Sequence, residues 1–119
     1  MTKVCVIYDI GKTNKKLFVF NSQFEIFHQE EQQFTLTVDD DGDSCENLLE
    51  LTNWIRNSFN NLKSRSDLTI EAVNFSAYGA SYVHLDKNKQ AVTPLYNYTK
   101  SFPYKTRKSF AMIVYHKKK

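Results

Sequence analysis

The residues best placed to do chemistry lie near the start, in the run Tyr8-Asp9-Ile10-Gly11-Lys12-Thr13-Asn14. Gly11-Lys12-Thr13 has the letters that close a G-x-x-x-x-G-K-[ST] phosphate loop. That loop requires a glycine five positions earlier and a helix beginning at its Lys-Thr end. Val6 stands where the glycine is needed, and a strand-type run, Leu17-Phe18-Val19-Phe20, follows. Both conditions fail, which excludes this cradle. A hairpin offers a different one. Asp9 would leave the end of a first strand, and Gly11 would let the backbone turn with no side chain in the way. Successive backbone amides, with the side chains of Lys12, Thr13 and Asn14, can then face a terminal phosphate as a nest of donors. Asp9 would hold Mg²⁺ directly or through water, because hard cations take oxygen ligands. A plain solvated hairpin turn fits the same D-x-G-x-T letters, and the short motif leaves both open.

Other chemistry-bearing residues point elsewhere. Asp39, Asp41 and Asp43, with Glu50 at the twelfth position, echo an EF-hand loop. Its sixth position is Ser44 rather than glycine, with Gly42 out of register, and the acids are better read as the entry to a helix. His28, His84 and His116 are scattered and expected at the surface or satisfied as polar groups. Trp54 should pack at the edge of a helical stripe. Cys5 and Cys45 lack metal-ligand spacing, and Cys5, inside an apolar run, is expected as a small buried hydrophobe. Two cysteines of this kind suit a reduced, cytoplasmic setting.

The elements that must position these residues are legible from periodicity. Residues 4–8 form a continuous apolar, β-branched run, the pattern of a buried strand, and residues 17–20 form another. Asn21-Ser22-Gln23 breaks the chain, and a longer third strand is expected over about 24–38, where Phe34, Leu36 and Val38 alternate with Thr35 and Thr37. Short turns between the three make an antiparallel meander. A helix is expected from an N-cap at Asp43, with Glu46 three residues on completing a capping box. Leu48, Leu51, Thr52, Ile55, Phe59 and Leu62 give it one apolar stripe to about residue 63. Residues 68–75 return to strand, and a strand after a crossover helix tends to pair in parallel with an earlier one. Residues 82–85 are a further extended segment before a turn at 86–89.

The 119 residues are 41% apolar and 24% charged, an ordinary globular composition for one domain or part of one. No run of about 18 apolar residues occurs, so no membrane span is expected, and the first residues carry no secretory leader pattern. The net charge of +3 is divided unevenly: residues 1–99 carry nine basic against thirteen acidic residues, and residues 100–119 seven basic and none acidic. The basic end, with Phe102, Tyr104, Phe110 and Tyr115 as stacking groups, could serve nucleic acid. The acidic remainder opposes a polyanion, so nucleic-acid binding is not expected. The division separates residues 1–99 from a basic, unpatterned tail at 100–119.

The order strand, strand, strand, helix, strand resembles the opening half of the ribonuclease-H-like fold shared by actin-like ATPases and sugar kinases. Three blocks resemble the FGGY carbohydrate kinases in order and spacing. YDIGKTNKKLFVF resembles their first hairpin, DDDGDSCENLLELTNWI their acidic-Gly turn and first helix, and VNFSAYGASYVHLDKNKQAVTPLYNY the next strand and sugar-side loop. The similarity spans roughly residues 3–99 and leans toward a rhamnulokinase- or fuculokinase-like branch. It implies an α/β half-domain that supplies the ATP phosphate and Mg²⁺ hairpin (Asp9, Gly11, Lys12, Thr13, Asn14) and a sugar wall at Tyr78, Gly79 and Ala80. No catalytic residue is implied within the chain: no second D-x-G-[ST] occurs, and no candidate takes the proton from a sugar hydroxyl. The expectation is an N-terminal piece of an ATP-dependent sugar kinase, inactive alone, whose basic end reads as a shifted frame or disrupted gene. Its exposed sheet edge would favour homo-oligomers; a non-enzymatic, oligomerising module is the alternative.

Overall fold

Strand β1 (Thr2–Ile10) runs through the middle of a four-stranded sheet, the frame for everything else. The structure is a computed structural model and describes residues 1–117. β1 pairs antiparallel with β2 (Lys15–Asn21), and β2 pairs antiparallel with β3 (Ile26–Gln32). After two short strands, β4 (Thr37–Val38) and β5 (Ser44–Glu46), comes helix α1 (Leu48–Lys63). The chain then returns as β6 (Leu68–Ala77), parallel to β1 on its other side, giving the order β3-β2-β1-β6. A second small sheet joins β4 and β5 to β7 (Leu95–Tyr96) in the order β4-β5-β7. The meander, crossover helix and parallel strand follow the order expected from the sequence.

The core lies between one face of the sheet and α1. Alternation along β1 sends Val4, Val6, Tyr8 and Ile10 inward, and β2 adds Leu17 and Val19. Leu51 and Leu62 meet them from the helix, with Trp54 and Ile55 half-buried beside them. Tyr8 carries a polar tip into this layer. Its hydroxyl donates to the Ile55 carbonyl at 3.1 Å and lies 2.9 Å from Ser58 Oγ, so it fastens β1 to α1. Trp54 packs edge-on against Tyr8 and Phe34.

Four local expectations are corrected. Cys5 is exposed, not buried, because the single helix covers one face and Cys5 points to the other. The third strand does not run to Val38: β3 ends at Gln32, and Leu36 and Val38 are exposed where the chain leaves for the second sheet. The helix is capped by Asn47, whose side chain accepts from the Glu50 amide, and not by Asp43. Residues 44–46 are drawn into β5 by pairing with β4 and β7, so Glu46 cannot close a capping box. In the basic end, residues Tyr104–Lys117 form α2, with no buried residue. The radius of gyration, 19.3 Å, exceeds the roughly 13.5 Å of a compact domain this long, as a projecting helix requires. Residues 82–85 make only an isolated bridge, Leu85 to Ala91. No helix among the described residues is long and apolar enough to cross a membrane.

Two hairpin turns share one construction. At Asn21 and at Asp86 the side chain accepts backbone N–H groups two and four residues on, and the residue three on has φ of 62°. Those residues are Phe24 and Lys89, and the Phe24 side chain is 87% exposed. A left-handed conformation costs an L-residue about 1–2 kcal/mol, partly offset in glycine by its freer unfolded chain. Phe24→Gly should therefore raise the free energy of unfolding in urea by about 0.5–1 kcal/mol.

Candidate functional site

The β1–β2 turn occupies residues 11–14, between Ile10 and its partner Lys15. The Gly11 amide donates to the Asn14 carbonyl at 3.0 Å, which draws the backbone tight. A Cβ on Gly11 would sit 2.6 Å from that carbonyl oxygen, so glycine is required by close approach. Among the described residues, the amides of Lys12, Thr13 and Asn14 donate to no protein acceptor. Three consecutive backbone donors are thus unspent. The Asn14 Oδ1 accepts from Gln33 Nε2 at 2.7 Å, which ties the turn to the segment after β3 and leaves the Asn14 amide group free to donate outward. Thr13 is exposed, and Lys12 lies with its ammonium 4.5 Å above the Tyr98 ring. A strand follows the turn, so the helix-based phosphate loop is absent from the structure as it is from the sequence.

Asp9 is the last outward-facing residue of β1. It is exposed and stands in register between Lys16 on β2 and Ser76 on β6. Among the described residues its carboxylate makes no hydrogen bond or ion pair. A free carboxylate beside a turn with a free hydroxyl, Thr13, suits a cation that keeps most of its water shell.

Beneath the turn is a group that the motif search passed over. Lys15 is 1% exposed, and its Nζ donates to the Lys12 carbonyl at 2.5 Å and to Glu46 Oε2 at 3.0 Å and Oε1 at 3.1 Å. Glu46 is equally buried, and its Oε1 also accepts from the Tyr78 hydroxyl at 3.2 Å. Burial pushes the Tyr78 phenol up to about 12, with the Glu46 charge and hydrogen bond adding to it. A signal for Lys15 exists in the sequence: it has the same parity as Leu17 and Val19, so the alternation of β2 points it inward. Nothing local marks Glu46 as its partner.

The chain after β6 comes to the same place. The Tyr78 amide donates to the Ile10 carbonyl at 3.0 Å, which sets this loop beside the start of the turn. Gly79 is exposed, and Ala80 is held at φ 62° at the rim of a cleft of about 510 Å³. Ala80 lines the cleft with Ser81, Tyr82, Tyr96, Tyr98 and Phe102. Tyr78 and Gly79 precede it in the same loop and are not among the residues that line the cleft, Tyr78 having its hydroxyl bonded to Glu46. The structure therefore gathers Gly11, Lys12, Thr13, Asn14 and Tyr78 around one corner, with Ala80 at the adjoining cleft.

The acidic loop makes a separate cluster. Lys100 Nζ bonds Asp39 Oδ2 at 2.5 Å, Asp41 Oδ2 at 2.8 Å and Asp43 Oδ2 at 3.3 Å. The oxygens are close enough together to hold a metal ion, but the ammonium stands among them. The pairing holds the Asp39 carboxyl below the usual range and Lys100 above it. Glu50 takes no part; its amide belongs to the helix cap. His28 bonds Glu30 on β3, and His84 lies exposed beside the Tyr82 ring, where it lines the cleft and not the turn.

The model of the FGGY family of carbohydrate kinases, N-terminal domain, matches residues 4–111. No curated protein matches the chain in sequence. Among solved structures, a carbohydrate kinase from Novosphingobium aromaticivorans superposes with a TM-score of 0.79 at 14% identity, over 93% of this chain and 23% of that one. Glycerol kinase from Plasmodium falciparum, solved with ADP, gives 0.71 at 13% identity, over 93% and 23%. Gluconate kinase from Lactobacillus acidophilus gives 0.67 at 16% identity, over 82% and 20%. The chain thus spans about a fifth of the length of these relatives.

The Tyr78 environment has a pH signature. A phenol whose pKa is raised on folding contributes stability that is intact below its unfolded value near 10 and is lost as pH rises toward about 12. Wild-type unfolding free energy should fall across that window more steeply than that of Tyr78→Phe, measured by urea denaturation at pH 9 and pH 11.5.

Proposed function

Because the chain belongs to the FGGY family of carbohydrate kinases, we propose that it supplies the phosphate-holding hairpin of an ATP-dependent sugar kinase. The observation that carries this is the turn itself: three adjacent backbone N–H groups without acceptors, held open by a close-packed glycine and set beside a free carboxylate. Such a nest receives the terminal phosphate of ATP, and Lys12 adds a positive charge by swinging from the Tyr98 ring. The Thr13 hydroxyl and the Asn14 amide are further donors. Asp9 fits a Mg²⁺ ion bound through one carboxylate and water, and such an ion neutralises phosphate charge when present. The loop Tyr78-Gly79-Ala80 forms the wall toward the sugar, with Ala80 opening to the aromatic-lined cleft. The D-I-G-K-T-N opening favours a rhamnulokinase- or fuculokinase-like branch. An ATP-using kinase with two free thiols suits the cytoplasm.

Transfer needs more than this chain contains. Phosphoryl transfer depends on positioning both substrates and on a group that takes the hydroxyl proton, and among the described residues none is assigned that role. The chain should therefore bind the nucleotide weakly and phosphorylate no sugar. In a ¹⁵N NMR titration, Mg-ATP should shift the amides of residues 12–14 with a Kd on the order of 1 mM (about −4 kcal/mol). Gly11→Ala should abolish those shifts, and Asp9→Asn should remove their dependence on Mg²⁺. Shifts centred elsewhere, or sugar-dependent ATP consumption lost in Asp9→Asn, would overturn the assignment.

The alternative of an oligomerising module draws on a different observation. β3, at one edge of the sheet, carries His28, Glu30 and Glu31, whereas β6, at the other, has a single charge and no proline over ten residues. Phe75 on β6 is 54% exposed. Uncharged edges of this length recruit further strands. A discrete dimer on a sizing column, dispersed by Val73→Lys at that edge, would support this reading; a monomer at 100 µM would remove it.

A further inference from the structure

We propose that Glu46 is a positioning residue that couples the turn at 11–14 to the loop at 78–81, through Lys15 on one side and Tyr78 on the other. What the two ends bind rests on the function proposed above; the linkage between them does not. The three protons of the Lys15 ammonium meet the Lys12 carbonyl and both oxygens of Glu46. The Lys12 carbonyl lies inside the turn, so the ammonium holds the turn's backbone from below. Glu46 Oε1 is shared: it accepts from Lys15 and from the Tyr78 hydroxyl. The carboxylate is itself fixed by β5, whose residue Glu46 pairs with Leu95 of β7. A displacement of the turn that carries Lys15 with it leaves a buried carboxylate short of its counter-ion, and the other donor on that carboxylate is Tyr78.

Stability alone does not explain this choice of residues. Replacing a buried ion pair by apolar side chains of similar volume is often neutral or stabilising. Lys15 shares its face with Leu17 and Val19, where an aliphatic residue would pack directly. What the charges provide is direction: they fix where the Lys12 carbonyl points, and so where the neighbouring free amides point. A second path between the same segments runs from Lys12 over the Tyr98 ring to the Tyr78 ring, 6.1 Å away. Tyr78→Phe keeps that ring contact and removes the hydroxyl that bonds Glu46; its other partner, Ser81, lies on the same loop, so the carboxylate path is the one cut between the two segments.

The test uses the full chain without ligand and reads amide hydrogen exchange by NMR. Tyr78→Phe should speed exchange of the Gly11 amide, which is bonded to Asn14, by about three- to tenfold, although Tyr78 makes no hydrogen bond to residues 11–14. In the reverse direction, Lys15→Met should speed exchange of the Tyr78 amide, which is bonded to Ile10. In a Lys15→Met/Glu46→Leu background, expected to melt at or above the wild-type temperature, adding Tyr78→Phe should no longer reach the turn. A merely structural triad would lose stability in that background and show no such silencing. Exchange at Gly11 within twofold of wild type in Tyr78→Phe, or transmission that persists without the charged pair, would overturn the proposal. Intact coupling in a chain whose residues 12–14 ignore Mg-ATP would uphold the linkage and discard the nucleotide assignment.

Discussion

An ammonium group taken out of water must have each of its protons accepted, and Lys15 meets that demand with one backbone carbonyl and one carboxylate. Much of the local architecture follows from it. Glu46 must lie under the turn, so residues 44–46 run as a strand and α1 begins only at Leu48. The turn must present the Lys12 carbonyl downward, which sends the amides around it toward solvent. The remaining lone pairs of Glu46 draw in Tyr78, and the loop after β6 is fixed beside the turn. No buried side-chain polar atom among the described residues is left without a partner. The pair is therefore fully satisfied, the condition under which buried charge specifies geometry without destabilising the fold.

A second constraint is coverage. One helix shields one face of the sheet, so β1 and β2 alternate cleanly between core and surface, and β6 is exposed along most of its length. Tyr8 illustrates the boundary: it is buried against α1, yet the Phe75 ring stacked on it at 5.1 Å is half in solvent. The relatives that superpose on this fold are about four times as long.

The acidic loop solves a similar problem by other means. Asp39 has its carboxylate inside and bonds the amides of Asp41 and Asp43, so the loop is shaped by its own side chain. Lys100 then offsets part of the charge of the three acids and fastens the chain after β7 to the loop before β5. The same residue lines the aromatic cleft. Charge balance in this loop and the shape of the cleft therefore depend on one lysine, which the charge count alone assigns to the basic end.

Periodicity by itself determined the meander, the apolar stripe of α1, the parallel return of β6 and the strand after Lys12 that excludes a helix-based phosphate loop. These are local properties: alternation and 3.6-residue spacing are written in neighbouring side chains. Gly11 was also legible, because a tight turn between two strands requires it. What the residues could not show was which partner each polar group would meet. Glu46 fits a capping box as well as it fits a buried ion pair, and only the pairing of β5 with β4 and β7 decided between them. Cys5 reads as core until the sheet is found to be covered on one side. Lys100 reads as tail until it is found among three carboxylates. Each of these outcomes depends on residues tens of positions away, and it is their approach in space, set by the sheet, that assigns the charges.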